Sequence, residues 1–241
     1  MHEISFPDVP AGLGTVLAER GFTELTPIQT AVLNPDVAGR DLRISSQTGS
    51  GKTVALGLVV AEEVVEAVNL VNRGPVRARP SVVLIAPTRE LAVQLTEELS
   101  WLFKPLGATV VSLTGGTSLG IDFRDLKRDP QVLVGTPGRV RDHLERGSLE
   151  LDRVRVVALD EADEMLAMGF EEEVSAILDA TPEDRRTHLV SATFPPRVRS
   201  VAARNQQNSL MFAGTAPGVS NSDIDYRTMV VAANQRLSAL V

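Results

Sequence analysis

Short β-branched and aliphatic runs alternate along the chain with longer segments whose apolar residues recur every three or four positions. The runs predict strands over 42–45, 82–86, 109–113, 132–135, 154–159, 188–191 and 210–213. The longer segments predict helices over 52–71, 90–102, 123–127, 139–146, 171–180 and 196–206. Several strands, VVLIA at 82–86 and VLVG at 132–135 among them, are apolar on both faces, as in a parallel sheet covered on both sides. Regular strand–helix alternation therefore predicts an α/β fold, a mostly parallel sheet with helices on both faces.

Two stretches break the alternation. NRGPVRARP at 72–80 is a polar, basic connector, and AGTAPGVSNSDID at 213–225 has the Gly, Ser, Pro and Asn content of a linker. A single strand-like run follows at 226–232, and one strand cannot build a core. The expected organisation is one domain over 1–213, a linker over 214–225, and the start of a truncated second domain over 226–241.

Composition narrows the class. Of the 241 residues, 43% are apolar but only 4% aromatic, so the core is aliphatic. The absence of cysteine removes disulfides, thiolate metal sites and cysteine nucleophiles, and fits a cytoplasmic location. The most apolar stretch, 54–71, carries Glu62, Glu63 and Glu66, which argues against a membrane span. A net charge of −7 excludes a polycation that coats nucleic acid by bulk electrostatics, while leaving room for a few well-placed phosphate donors.

The segment VRVVALDEADEML, 154–166, poses a chemical problem. Its strand runs into Asp160, Glu161, Asp163 and Glu164, and adjacent carboxylates repel by about 1–4 kcal/mol per pair. A helix dipole accounts for Asp163 and Glu164, but a carboxylate at the tip of a strand calls for a cation. The strand at 42–45 leads into SQTGSGKT, 46–53, close to the pattern G-x-x-x-x-G-K-[ST] with Ser46 at the first small position. In such a loop Gln47, Thr48, Gly49, Ser50 and Gly51 wrap phosphate oxygens with backbone N–H groups. Lys52 reaches the β and γ phosphates, and Thr53 ligates Mg²⁺. Asp160 then holds the Mg²⁺ of a bound nucleotide through water, and Glu161 orients the attacking water.

The acidic cluster D-E-A-D at 160–163 resembles the signature of the DEAD-box ATP-dependent RNA helicases, and companion motifs occur in that family's order. GFTELTPIQ at 21–29 is similar to its adenine-recognising Q motif, with Phe6 near the position of its upstream aromatic. PTREL at 87–91, TGG at 114–116 and TPGR at 136–139 resemble its RNA-contacting motifs, and SAT at 191–193 the motif coupling hydrolysis to unwinding. Seven motifs in order, over 6–232, are far more specific than any one.

The resemblance implies a RecA-like ATP-binding domain with Lys52, Asp160 and Glu161 in catalysis. It implies Pro87, Thr88, Arg89, Gly115, Gly116, Thr136, Pro137, Gly138 and Arg139 on RNA, and Ser191 and Thr193 bonded to Asp163. Gln29 has an amide able to pair with N6 and N7 of adenine, and Phe6 either stacks on that base or packs the N-terminal segment. Taken singly, the RNA-motif residues are ordinary turn and cap residues. Leu25 stands where the family often has proline, and Arg186 where it often has glutamine. The implied partners are RNA, through sequence-independent backbone contacts, and a second RecA-like domain that supplies arginine fingers. Two other readings stay open: a DNA-directed helicase of the same superfamily, and a one-domain RNA- or partner-binding protein without turnover.

Overall fold

The computed structural model describes residues 6, 8–10, 12–45, 50–72 and 79–213. The expected linker at 214–225 and the strand-like run at 226–232 lie outside the described residues, as do 46–49 of the phosphate loop and 73–78 of the basic connector. Seven strands form one sheet: β1 Leu42–Ser45, β2 Val82–Ile85, β3 Val110–Leu113, β4 Val132–Gly135, β5 Val156–Leu159, β6 Arg186–Ser191 and β7 Leu210–Ala213. Their order is β3-β4-β2-β5-β6-β1-β7, and every neighbouring pair is parallel.

A parallel pair needs a crossover, which the helices supply. They are α1 Leu13–Glu19, α2 Pro27–Val32, α3 Lys52–Val59, α4 Ala61–Asn72 and α5 Arg89–Phe103, then α6 Leu119–Leu126, α7 Pro137–Glu145, α8 Ala162–Ala167, α9 Glu171–Asp179 and α10 Pro196–Asn205. Side chains alternate across each strand and feed two cores. Val82 and Leu84 of β2 face a cluster built with Leu13, Ile28, Leu56 and Leu99, from α1, α2, α3 and α5. Val83 and Ile85 face the other side, with Val140, Met165, Ile177 and Val198 from α7 to α10. All four residues of β2 are fully buried, which is why no polar residue interrupts it. Each such side chain contributes about 1.5–3 kcal/mol.

The structure departs from the expected elements at several helices, and the short α2 and α8 are additional to them. The helix expected over 52–71 is two, broken at Val60. Their surroundings differ: α3 is buried on every side from Val54 to Val59, whereas α4 turns Val64 and Ala67 inward and leaves Glu62 and Glu66 exposed. α6 begins at Leu119, four residues before the expected start. α1 was not among the expected elements, although Leu13 and Leu17, four apart, are both fully buried. Among the described residues no helix is long and apolar enough to cross a membrane.

Both departures from the family pattern are accommodated. Leu25 packs, half-buried, against the first core cluster. Arg186, at the start of β6, pairs with Glu63 of α4, both largely buried. Burial pushes the Glu63 carboxyl up, and the Arg186 charge opposes that push.

Candidate active site

The parallel register aligns the strand ends into one edge. Leu113, Gly135, Ile85 and Leu159 are level across β3, β4, β2 and β5, and Ser45 is level with Ser191 across β1 and β6. Every motif but GFTELTPIQ, which precedes β1, leaves the sheet at this carboxyl edge, where ligands of open α/β sheets bind. Strand order sorts the motifs. The turns after β3, β4 and β2 carry 114–116, 136–139 and 87–89, and those after β5, β6 and β1 carry 160–163, 191–193 and the phosphate loop.

On the β5-β6-β1 side, Gln29, Gly51, Lys52, Thr53, Asp160 and Glu161 line one cavity of about 590 Å³. Ser46, Gln47, Thr48 and Gly49 lie outside the described residues. Gly51, at φ 84, precedes α3 as its N-cap; a Cβ there would fall 2.5 Å from Gln29 Nε2, so only glycine fits. Gln29 is 1% exposed and is no surface residue. Its Oε1 accepts from Thr26 N–H at 2.9 Å, and its Nε2 donates to Gly51 O at 3.2 Å, which ties α2 to the phosphate loop. Phe6 is half-buried against the core beside Gly14 and is not among the residues lining the cavity.

Asp160 is buried; its N–H donates to Ile85 O at 2.8 Å. Burial pushes its carboxyl up, the Lys52 charge and the Glu161 N–H (3.0 Å from Oδ1) pull it down, and Glu98 pushes it further up. Glu161 occupies the left-handed region, φ 50 and ψ 50, as N-cap of α8, a conformation rare outside glycine and concentrated at functional sites. Its carboxyl is pushed up to about 7 by burial, by a hydrogen bond with Glu164, and by the charges of Asp160 and Glu164, against Lys52.

A second cavity of about 500 Å³ adjoins the first, since Lys52 and Glu161 line both; Asp163 and Thr193 also line it. Asp163 Oδ2 accepts from Thr193 N–H at 2.9 Å and from its hydroxyl at 2.6 Å, and Asp163 N–H donates to Ser191 Oγ at 3.1 Å. Burial pushes the Asp163 carboxyl up, but the hydrogen bonds from Thr193 and around Ser191 outweigh it and hold it below its ordinary value. Both cavities thus share one wall.

On the β3-β4-β2 side, Thr88 caps α5 by accepting from Leu91 N–H at 3.3 Å, and Arg89 is exposed. A Cβ at Gly116, φ 83, would fall 2.8 Å from Arg89 Nη1, so the arginine lies directly over that glycine. Gly115 is open, Thr136 precedes α7 in extended geometry, and Pro137 and Gly138 form its first turn. Arg139 differs from the expectation of an RNA-facing side chain. Its guanidinium turns inward, Nε donating to Asp122 Oδ2 at 2.6 Å and Nη2 to Thr117 O at 2.8 Å. Two histidines are buried: His143 in the Asp122 network, and His188 within β6.

Sequence reasoning missed part of the first cavity. Arg20, Phe22, Gln94, Glu98 and Trp101 line it, with Phe22 and Trp101 rings tilted at 6.3 Å and the Arg20 guanidinium 4.9 Å from the Trp101 ring centre. Phe22 lies within GFTELTPIQ and carried that signal, whereas nothing around Trp101 in α5 distinguishes it from a core residue.

The sequence model of the DEAD/DEAH box helicase family matches residues 26–201. The chain is 42% identical over 185 residues to "ATP-dependent RNA helicase CshA" of Limosilactobacillus reuteri, which covers 76% of this chain and 35% of the relative. It is 43% identical over 203 residues to "DEAD-box ATP-dependent RNA helicase 3A, chloroplastic" of Zea mays, covering 84% and 27%. The chain thus spans about a third of the length of the curated relatives it matches. Among solved structures, a DEAD box protein from the hyperthermophile Methanococcus jannaschii superposes with a TM-score of 0.78 at 30% identity, over 96% of this chain and 60% of that one. A second, described as a hypothetical ATP-dependent RNA helicase from Sulfolobus tokodaii, gives 0.73 at 27% identity, over 83% and 56%.

Proposed function

Because the chain belongs to the DEAD/DEAH box helicase family, we propose that it is the RecA-like, ATP-binding half of a cytoplasmic ATP-dependent RNA helicase. The observation that carries this reading is the convergence of Gln29, Gly51, Lys52, Thr53, Asp160 and Glu161 on one cavity, beside the Asp163–Thr193 pair.

The chemistry follows from charge. Lys52 acts as a point charge on the phosphates, and the N-terminus of α3 adds its dipole toward the same anion. Gln29 has one amide N–H and one carbonyl lone pair left after its bonds to Gly51 and Thr26, the pair an adenine edge takes. The donor set fits Mg²⁺: Thr53 offers a hydroxyl and Asp160 a buried carboxylate beside the phosphate site. Among the described residues no group of three or more acidic, His or Cys side chains could hold a metal by itself, as suits an ion held mainly by phosphate and water. When bound with the nucleotide, Mg²⁺ would offset phosphate charge.

Glu161 orients the water that attacks the γ-phosphate and takes its proton, with its carboxyl poised near neutrality for that task. Asp163, Ser191 and Thr193 couple the two cavities, so a shift at Glu161 reaches the β6 turn. Thr88, Arg89, Gly115, Gly116, Thr136, Pro137 and Gly138 meet the RNA backbone, reading no base sequence. A second RecA-like domain completes the cleft and supplies arginines worth about 10³–10⁵ in rate.

The test has two parts. The chain alone binds Mg²⁺–ADP but lacks RNA-stimulated turnover, and a second family domain, added in trans or by fusion, restores that turnover. Glu161→Gln in the fusion abolishes hydrolysis and spares ATP binding. RNA-stimulated multiple turnover by this chain alone would refute the divided-site reading, and stimulation by DNA as strong as by RNA would favour a DNA-directed enzyme.

A further inference from the structure

The inward guanidinium of Arg139 stands out because this arginine belongs to a motif whose neighbours face the sheet edge. Its partner Asp122 is 1% exposed and engaged on both oxygens. Oδ2 meets Arg139 Nε at 2.6 Å and His143 Nε2 at 3.0 Å, and Oδ1 lies 3.2 Å from the Thr117 hydroxyl. That hydroxyl also lies 2.8 Å from Thr114 O, and His143 Nδ1 lies 2.8 Å from Ser148 Oγ. Arg139 side-chain exposure is 14%. Swinging the side chain outward to a phosphate would strip Asp122 of this cation where no water replaces it, which is strongly unfavourable.

The geometry points to Arg139 as a positioning residue rather than a phosphate contact: with Asp122 and His143 it locks the turn at 114–117 against the first turn of α7, and leaves Arg89 as the cation that meets the RNA backbone. The planar fork suits this role, since Nε takes the carboxylate while Nη2 takes Thr117 O, fixing the residue after Gly116. Arg89 is exposed, lies over Gly116, and meets no carboxylate among the described residues. Arg89 thereby lies over the turn that Arg139 holds. This inference rests on the RNA reading given above.

Salt dependence separates a residue that neutralises a phosphate from one that shapes the site. Each phosphate neutralised on a single strand contributes about 0.7 to the slope of log affinity against log salt. Binding of a fluorescent single-stranded oligouridylate by the chain would be followed by anisotropy over a salt series, with ADP affinity measured alongside. Arg89→Ala lowers the slope by about 0.7. Arg139→Ala weakens RNA binding by about tenfold, with ADP affinity kept and the slope unchanged, because backbone contacts are displaced rather than a charge removed. A slope lowered by one phosphate in Arg139→Ala overturns the proposal.

Should Arg139→Ala lose ADP binding through misfolding, Arg139→Lys decides. It keeps the charge but not the fork, so the proposal expects a loss matching that of Asp122→Asn, and parent-like RNA affinity overturns it. A parent chain that binds ADP but no RNA at any salt concentration overturns the RNA reading itself, and this inference with it.

Discussion

Acid should destabilise this protein through one buried residue of β6. His188 sits in β6 opposite Leu42 of β1, fully buried, and its Nδ1 accepts the Leu42 N–H at 3.2 Å. The ring is therefore held as the Nε2–H tautomer, and that Nε2 has no partner among the described residues. Protonation would set a donor at Nδ1 against another donor and put a charge into the sheet. Burial, reinforced by the Arg186 charge, pushes the imidazole down to about 3 from 6.5. A depressed histidine pKa means that the stabilising difference is complete above pH 6.5 and is lost as pH falls from there toward 3. At about pH 5 the loss is roughly 1.36 kcal/mol for each of about 1.5 pH units, or about 2 kcal/mol. That figure depends on the unfolded value alone as long as the folded one lies well below 5.

Urea unfolding of the parent and of His188→Leu at pH 8 and pH 5 measures it. The substitution changes stability at every pH, because Leu42 N–H loses its acceptor while an unpartnered ring N–H also disappears. Only the difference between the two pH values carries the histidine. Carboxylates that titrate in the same window, Glu161 included, are common to both proteins and cancel. The expected result is a parent that loses about 2 kcal/mol more than His188→Leu between pH 8 and pH 5. Parallel pH curves for the two proteins would show that the folded ring accepts a proton freely, and the burial argument would fail.

Other consequences are open to direct measurement. Lys52→Ala removes most nucleotide binding and leaves the fold intact; titration with a fluorescent ADP analogue checks this, and unchanged affinity would contradict the phosphate-loop assignment. Gln29→Ala narrows the gap between ADP and GDP, since a bidentate amide pair is worth about 1–3 kcal/mol of discrimination; it also weakens both nucleotides, because the tie to Gly51 is lost. Parent affinities equal for ADP and GDP would remove Gln29 from base recognition. Asp163→Ala leaves Thr193 without its acceptor and, in a two-domain fusion, cuts duplex unwinding more than ATP hydrolysis; equal losses in both assays would argue against a coupling role.

The sequence determined the local parts of this protein. β2 and β4 were legible because a strand buried on both faces admits no polar residue, and α5 because its apolar residues keep a helical period. The phosphate loop, the acidic strand tip and the order of the turn motifs were legible because each needs particular side chains at fixed spacing. Tertiary structure decided what those parts face. The order β3-β4-β2-β5-β6-β1-β7 depends on which crossovers pack, and it gathers 160–163, 191–193 and the phosphate loop on one side and 87–89, 114–116 and 136–139 on the other. Gln29 is buried because α2 folds over Gly51, a long-range contact that the residues around Gln29 do not announce. Trp101 reached the cavity wall because α5 lies beside α3, a contact that neither helix encodes alone. Arg139 faces inward because Asp122, seventeen positions away, lies buried within reach, and a buried carboxylate takes the nearest cation before any ligand arrives.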